Sequence, residues 1–257
     1  MRTFLSLILL FAFWEFSIAS NQRPKRLPTT DAEILVGAQA SELEQYAAKE
    51  LQRYLYQLSG TLLKIRSGER EIGKPSFVIG TVESSPILHK LVSAKMLLVN
   101  SSDPGPQGYV LKKMIWNGST AIAIAGSDEV GCLYGVYGLL SDYYGIGFFL
   151  GGDILPDKKS PLRWVDVDER KSPSMYVRGF LPWTNFPQSA TSYSWEDWKF
   201  ILDQMAKMRL NFIHIHNYNG ELGHNEMYHN FTYKGYTSRV WMPTARQAHA
   251  WAMSPGM

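Results

Sequence analysis

The chain has 257 residues, of which 45% are hydrophobic and 19% are charged, a balance typical of a folded protein of one or two domains rather than a disordered one. Lysine and arginine number 26 against 23 aspartate and glutamate, so the formal net charge is +3, which argues against a nucleic-acid partner. Aromatic residues make up 13% and include 8 tryptophans, a content suited to stacking on sugar rings.

The N-terminus has the composition of a secretory signal peptide. Arg2 precedes an apolar run from Phe4 to Trp14, and the small residues Ser17 and Ala19 stand two apart ahead of a polar stretch. The run is shorter than the roughly 20 apolar residues that cross a bilayer. We therefore expect residues 1–20 to be cleaved, and the protein to be secreted or periplasmic with no membrane span.

Strands and helices alternate from residue 30 to about residue 165. Ser41 and Glu44 form a capping box, after which apolar residues recur at helical spacing as far as Gly60. Further helices are predicted over residues 86–96 and 128–144. Strands are predicted over residues 33–37, 62–65, 77–80, 108–113 and 120–125, with Asn117 and Gly118 turning the last pair into a hairpin. This order predicts an α/β domain with a mixed sheet over residues 30–165.

A second unit is predicted beyond residues 157–173, a stretch dense in charge and proline that is typical of a connection between domains. An amphipathic helix over residues 194–209, with Ser194 as its N-cap, lies between strand-like segments at 175–180 and 211–216. Together the three segments have the order of a βαβ unit.

Cys132 is the only cysteine, so no internal disulfide can form and cysteine-rich zinc sites are excluded by count. The thiol lies in an apolar helical run, Gly131 to Gly138, which favours a buried and inert side chain over a nucleophile. The glycines of this run match no phosphate-binding motif, and we expect them to allow close packing of the helix.

Polar and aromatic residues near the ends of the two strands of the βαβ unit are the candidate substrate ligands, because parallel strands end at one shared edge. Guanidinium, amide and imidazole groups hydrogen-bond sugar hydroxyls, and an indole stacks on a sugar ring. The candidates are Arg178, Trp183, His214, His216 and Asn217. Alternatively, Arg178 pairs with an acid. Because the two histidines lack a third ligand at a recognised spacing, we expect no metal and no other cofactor.

Two stretches resemble known glycoside hydrolases. The motif Gly126–Asp128, the run Gly131–Leu140, the segment Gly145–Phe148 and Pro156 resemble the non-catalytic α/β domain that precedes the barrel in family 20 β-hexosaminidases and family 67 α-glucuronidases. The segments Tyr176–Phe180 and Leu210–His216 are similar to the first two barrel strands of family 20. In that family the arginine of the first strand binds sugar hydroxyls, and the resemblance extends this role to Arg178 and adds His214 and His216.

The resemblance implies the fold of an accessory α/β domain followed by the first βαβ unit of an incomplete (β/α)₈ barrel, residues 172–257. Asn217–Gly220 replaces the acidic turn of family 20 and is closer to family 67. Because a complete barrel takes about 250 residues, we expect the catalytic carboxylates beyond Met257, and this fragment by itself to be inactive. The function implied is the N-terminal portion of an exported α-glucuronidase-like or hexosaminidase-like enzyme acting on an oligo- or polysaccharide. The alternative is a non-catalytic exported carbohydrate-binding or adaptor domain.

Overall fold

The computed structural model describes residues 31–68, 72–180 and 194–213. In chain order its elements are β1 (Glu33–Val36), α1 (Glu42–Ser59), β2 (Lys64–Ser67), β3 (Ser76–Gly80), α2 (Pro86–Ser93), β4 (Tyr109–Trp116), β5 (Ser119–Gly126), α3 (Glu129–Tyr144), β6 (Gly147–Phe149), β7 (Gly152–Ile154), β8 (Asp168–Lys171), β9 (Gly179–Phe180), α4 (Trp195–Lys207) and β10 (Phe212–Ile213).

A 6-stranded sheet in the order β2-β1-β3-β5-β4-β8 forms the centre of the α/β domain. Strands β1, β2, β3 and β5 are parallel to one another, whereas β4 runs antiparallel to both β5 and β8. The predicted α/β fold with a mixed sheet is confirmed. Of the hairpin, the turn at Asn117 and Gly118 is also confirmed, with both residues at positive φ.

Helices cover both faces of the sheet, and for this reason its central strands are continuously apolar. Every residue of β3 is buried, and so are residues 121–126 of β5. On one face Phe77 and Ile122 pack with residues of α1 and α3, and on the other Val78 and Ala123 pack with residues of α2. Side chains one residue apart along a strand therefore belong to two separate cores.

The helix ends agree with the predicted capping residues. Glu44 N donates to Ser41 Oγ at 3.2 Å and Ser41 N donates to Glu44 Oε2 at 2.7 Å, which completes the capping box of α1. Gly60 ends this helix with a φ of 71°. Ser194 caps α4 through the same kind of reciprocal box with Asp197. These local hydrogen bonds fix where each helix begins.

Several predicted boundaries were wrong. Helix α2 ends at Ser93 rather than at residue 96, and β2 begins two positions later than the predicted start at residue 62. The connection over residues 157–173 contains the strand β8, whose sequence Asp-Glu-Arg-Lys carries no apolar signal. It pairs with β4 at the sheet edge, where charged side chains remain solvated, and it lies beyond the predicted domain boundary at residue 165.

The βαβ unit is present in its described part. Strands β9 and β10 are parallel, with Gly179 opposite Phe212, and α4 buries Trp198, Leu202 and Met205. A Cβ on Gly179 would overlap the carbonyl oxygen of Phe212, so only glycine allows this pairing. The strand predicted over residues 175–180 is reduced to Gly179–Phe180, because the backbone pairs only there.

Two further predictions concern helix α3, namely the burial of its cysteine and the close packing at its glycines. Cys132 is buried as predicted, and burial raises the pKa of its thiol well above the usual value. A Cβ at Gly131 would meet the carbonyl of Gly108, and one at Gly138 would meet Tyr109, so these glycines do permit close packing of α3. Among the described helices, none is both long enough and apolar enough to cross a membrane.

Candidate functional site

Of the five predicted substrate ligands, the structure describes Arg178. Trp183, His214, His216 and Asn217 lie outside the described residues. The parallel pairing of β9 with β10 means that the chain leaves both strands at the same edge. His214 follows β10 directly in sequence. The parallel strands that the sequence predicts for the candidate site are therefore present. The role of the five residues as substrate ligands stays a prediction.

Arg178 lies immediately before β9, and its guanidinium group donates to oxygens of the protein. Nε donates to the carbonyl of Arg209 at 2.9 Å, and Nη1 donates to the carbonyl of Met175 at 2.8 Å. Nη2 donates to the Gln107 side-chain oxygen at 2.6 Å. The guanidinium carbon also lies 5.7 Å from the centre of the Tyr134 ring, within cation–π range. Among the described residues, the acceptors of this guanidinium group are thus carbonyl and amide oxygens, and none is the acid that the sequence left as an alternative.

Gln107 and Asn211 complete a polar cluster with Arg178, and sequence reasoning missed both. The Asn211 amide donates to Gln107 Oε1 at 3.1 Å and to the carbonyl of Tyr176 at 2.7 Å. In return, Asn211 Oδ1 accepts from the backbone N–H of Arg178 at 2.8 Å. Gln107 is buried in a loop with no periodic pattern, so the sequence held no signal for it. We call these three residues the seam cluster, because they join the α/β domain to the βαβ unit.

A second polar group centres on Asp153 of β7. Its carboxylate accepts from the Tyr54 hydroxyl at 2.6 Å, from Lys207 Nζ at 2.9 Å and from the Gln204 amide at 3.0 Å. Burial raises the pKa of Asp153, but the hydrogen bonds from these donors outweigh it and hold the pKa below 3.8. Burial, together with the hydrogen bond to Asp153, raises the pKa of Tyr54 well above 10. The carboxylate is thus ionised and anchors α4 to β7 and α1.

The shielded carboxylates of the described residues are held by donors within the α/β domain or at its contact with α4. Glu44 accepts from Thr81 N at 2.8 Å and from Ser84 Oγ at 2.5 Å. Glu50 accepts from Arg53 Nη2 at 2.7 Å and from the Tyr137 hydroxyl at 3.0 Å. Through these contacts Glu44 and Glu50 link segments within the α/β domain. Among the described residues, no group of three His, Cys, Asp or Glu side chains has the arrangement of a metal site.

The comparison with protein families identifies the first part of the chain. Residues 17–139 match the model described as the glycosyl hydrolase family 67 N-terminus. The predicted resemblance is confirmed for residues 17–139, which are similar to a glycoside hydrolase N-terminal domain. A search of curated proteins found no match to the chain.

Solved structures are similar to this chain at low sequence identity, and one of them reaches a TM-score of 0.50. BtGH115A, a family GH115 4-O-methyl-α-glucuronidase with specificity for decorated arabinogalactans, is 15% identical, with a TM-score of 0.50 over 74% of this chain and 25% of its own. CpGH84D is 14% identical, with a TM-score of 0.49 over 79% of this chain and 33% of its own. A Streptomyces plicatus β-hexosaminidase is 16% identical, with a TM-score of 0.38 over 73% of this chain and 30% of its own. The chain thus spans about a quarter of the length of BtGH115A.

Proposed function

We propose that the chain is the N-terminal region of an exported glycoside hydrolase, in which the α/β domain precedes the start of a (β/α)₈ barrel. The observation that carries this proposal is the order of the two parts. A stretch that matches a glycoside hydrolase N-terminal domain is followed, after the edge strand β8, by the parallel β9–α4–β10 unit. A right-handed repeat of such units is how a barrel of this kind is built.

The substrate class that we favour is a polysaccharide that carries glucuronic acid. The family 67 resemblance and the α-glucuronidase activity of BtGH115A both support a glucuronidase. In this proposal Trp183 stacks on a sugar ring, and His214, His216 and Asn217 hydrogen-bond hydroxyl groups at the edge where β9 and β10 end. Hydrolysis itself requires two carboxylates across the glycosidic bond, which we place on later barrel strands.

Export is the second part of the proposal and rests on residues 1–20. Cleavage near residue 20 would remove the apolar segment before the α/β domain begins. The test is N-terminal sequencing of the protein recovered outside the cytoplasm of the producing cell. We expect a mature end near Ser20, whereas an intact Met1 on the exported protein would contradict cleavage.

The carbohydrate proposal is tested first by binding. Calorimetric titration of the chain with oligosaccharides from decorated arabinogalactan, with and without glucuronic acid, measures whether the acid sugar is recognised. Replacing His216 by alanine should weaken the binding about tenfold, because the proposal gives its imidazole a hydrogen bond to a sugar hydroxyl. The matched control is His89→Ala, since His89 is exposed on α2, away from β9 and β10.

Hydrolysis is tested by reading the coding DNA past the codon of Met257 and assaying the whole translated product for release of glucuronic acid. An open frame whose product releases the acid supports the enzyme. A product that binds the oligosaccharide without cleaving it supports the exported carbohydrate-binding or adaptor domain instead. Release of N-acetylhexosamine in place of glucuronic acid would contradict the substrate class and favour a hexosaminidase.

A further inference from the structure

One part of the contact between the α/β domain and the βαβ unit lies at the turn between α4 and β10. Leu210 accepts a hydrogen bond on its carbonyl from the Tyr134 hydroxyl at 3.2 Å, and Arg209 Nη1 donates to the Tyr109 hydroxyl at 3.1 Å. Asn211, the next residue, bonds to Gln107 of the seam cluster. Three consecutive residues ahead of β10 are thus tied to the α/β domain.

Arg178 holds the corresponding position ahead of β9. Its carbonyl oxygen accepts from the backbone N–H groups of Asn211 at 2.8 Å and Phe212 at 3.0 Å, which begins the pairing of the two strands. Its guanidinium group meanwhile bonds to Arg209 and to Gln107. One residue therefore contacts both strand starts and the α/β domain together.

Gln107 is itself hydrogen-bonded to Asp128, the N-cap residue of α3. Its backbone N–H donates to Asp128 Oδ2 at 2.7 Å, while the other oxygen of that carboxylate caps α3 through the N–H of Gly131 at 2.6 Å. The Gln107 side chain is buried at the position where Arg178 Nη2 reaches it. The path from α3 through Asp128 and Gln107 to Arg178 is thus continuous.

We propose that Arg178 is a positioning residue, which sets the starts of β9 and β10 on the α/β domain and does not contact the carbohydrate. The proposal rests on the proposed function in taking the ligand to be carbohydrate. Strand starts lie at the opposite edge from strand ends, and in (β/α)₈ barrels substrates bind where the strands end. A shift of one residue in the pairing would turn every following side chain to the other face, so a fixed start determines which residues can reach a ligand.

Hydrogen exchange of the intact chain tests the proposal without a ligand. In Arg178→Ala, the amides of Asn211 and Phe212 should exchange at least about tenfold faster, since several hydrogen bonds of a charged group are lost. Gln107→Ala should accelerate the same amides, and Arg178→Lys should give a smaller effect because lysine lacks the planar fork. The matched control is Arg170→Ala, which removes an arginine bonded to Asp103 and Leu98 at the sheet edge.

Two outcomes of the exchange experiment would overturn positioning. One is unchanged exchange of Asn211 and Phe212 in Arg178→Ala. The other is an equal acceleration of the Ile122 and Ile124 amides in the central strand β5, which would indicate general destabilisation. The folded state of each variant is confirmed by its urea unfolding transition, so a variant that fails to fold is recognised, and Arg178→Lys then provides the comparison.

Binding separates positioning from direct contact. The probes are a glucuronic-acid-bearing arabinogalactan oligosaccharide and the same oligosaccharide with its carboxyl group reduced to an alcohol. Positioning predicts that Arg178→Lys weakens both ligands by the same factor, and that Gln107→Ala adds little to that loss in the double variant. A loss confined to the carboxylate ligand would assign Arg178 to the sugar. Losses from Arg178→Lys and Gln107→Ala that add fully in the double variant would do the same, because a contact with a sugar hydroxyl would weaken both ligands without involving Gln107. If the unaltered chain binds neither ligand, the proposed function is contradicted, while the exchange results still decide the role of Arg178.

Discussion

Replacing Asp153 by alanine removes the acceptor at the centre of the contact between α4 and the α/β domain. The side chains of Asp153 and Lys207 are only 15% and 10% exposed, so the ion pair is largely shielded from water. The variant leaves the Lys207 ammonium without a carboxylate and the Tyr54 hydroxyl without its acceptor. The structure therefore predicts a large loss of stability rather than the small effect of a surface pair.

The magnitude follows from what remains at the site. Removing one partner of a buried ion pair costs about 3–5 kcal/mol. Lys207 keeps a hydrogen bond to Gln204 Oε1 at 2.5 Å, which places the expected cost at the lower end, about 3 kcal/mol. With a urea dependence of about 2 kcal/mol per molar, the unfolding midpoint should fall by about 1.5 M.

Urea unfolding followed by circular dichroism measures this loss, and the control is Asp203→Ala on the same helix. Asp203 pairs with Lys199, whose side chain is 58% exposed, so its removal should cost only about 0.5 kcal/mol or less. Asp153 has a lowered pKa, so its contribution is complete above pH 3.8 and is lost as the pH falls through the lower value in the folded state. The difference between the unaltered chain and Asp153→Ala should therefore narrow in acid. Equal effects of the two variants, or a difference independent of acid, would refute the reasoning.

Three further changes test the packing and the helix ends. Gly179→Ala should abolish the pairing of β9 with β10 because its Cβ would overlap the carbonyl of Phe212, and hydrogen exchange that stays slow at Phe212 would argue against the reported register. Leu51→Ala should cost about 2–5 kcal/mol of unfolding free energy in urea because Leu51 is fully buried, and a cost below 1 kcal/mol, about the net value of a methylene, would contradict its place in the core. Ser194→Ala should cost about 1 kcal/mol by removing the cap of α4, and Ser194→Gly should recover part of it, whereas two equal losses in thermal unfolding would speak against capping by Asp197 N–H donation.

Most of the α/β domain could be predicted because its signals are local. The capping box at Ser41 and the apolar spacing that follows determine α1 through contacts within four residues of each other. The apolar runs of β3 and β5 predict strands that are buried on both faces. Asn117 and Gly118 predict the turn of the hairpin between β4 and β5. The edge strand β8 was not predicted because its four residues are all charged and show no hydrophobic pattern. It forms a strand only because its backbone pairs with β4 at the edge of the sheet.

The sequence alone thus determined the fold class, the principal helices and the family resemblance of the first part of the chain. Only the tertiary structure revealed the seam cluster, in which Gln107 and Asn211 are 104 positions apart and Gln107 and Arg178 are 71 apart. A hydrogen bond between residues far apart in sequence produces no periodic pattern and no local motif. It depends on how two separately folded segments pack against each other. Arg178 shows the difference most clearly. Its residue type and its place near a strand suggested that it binds a sugar, whereas the structure shows its guanidinium group donating to oxygens of the protein.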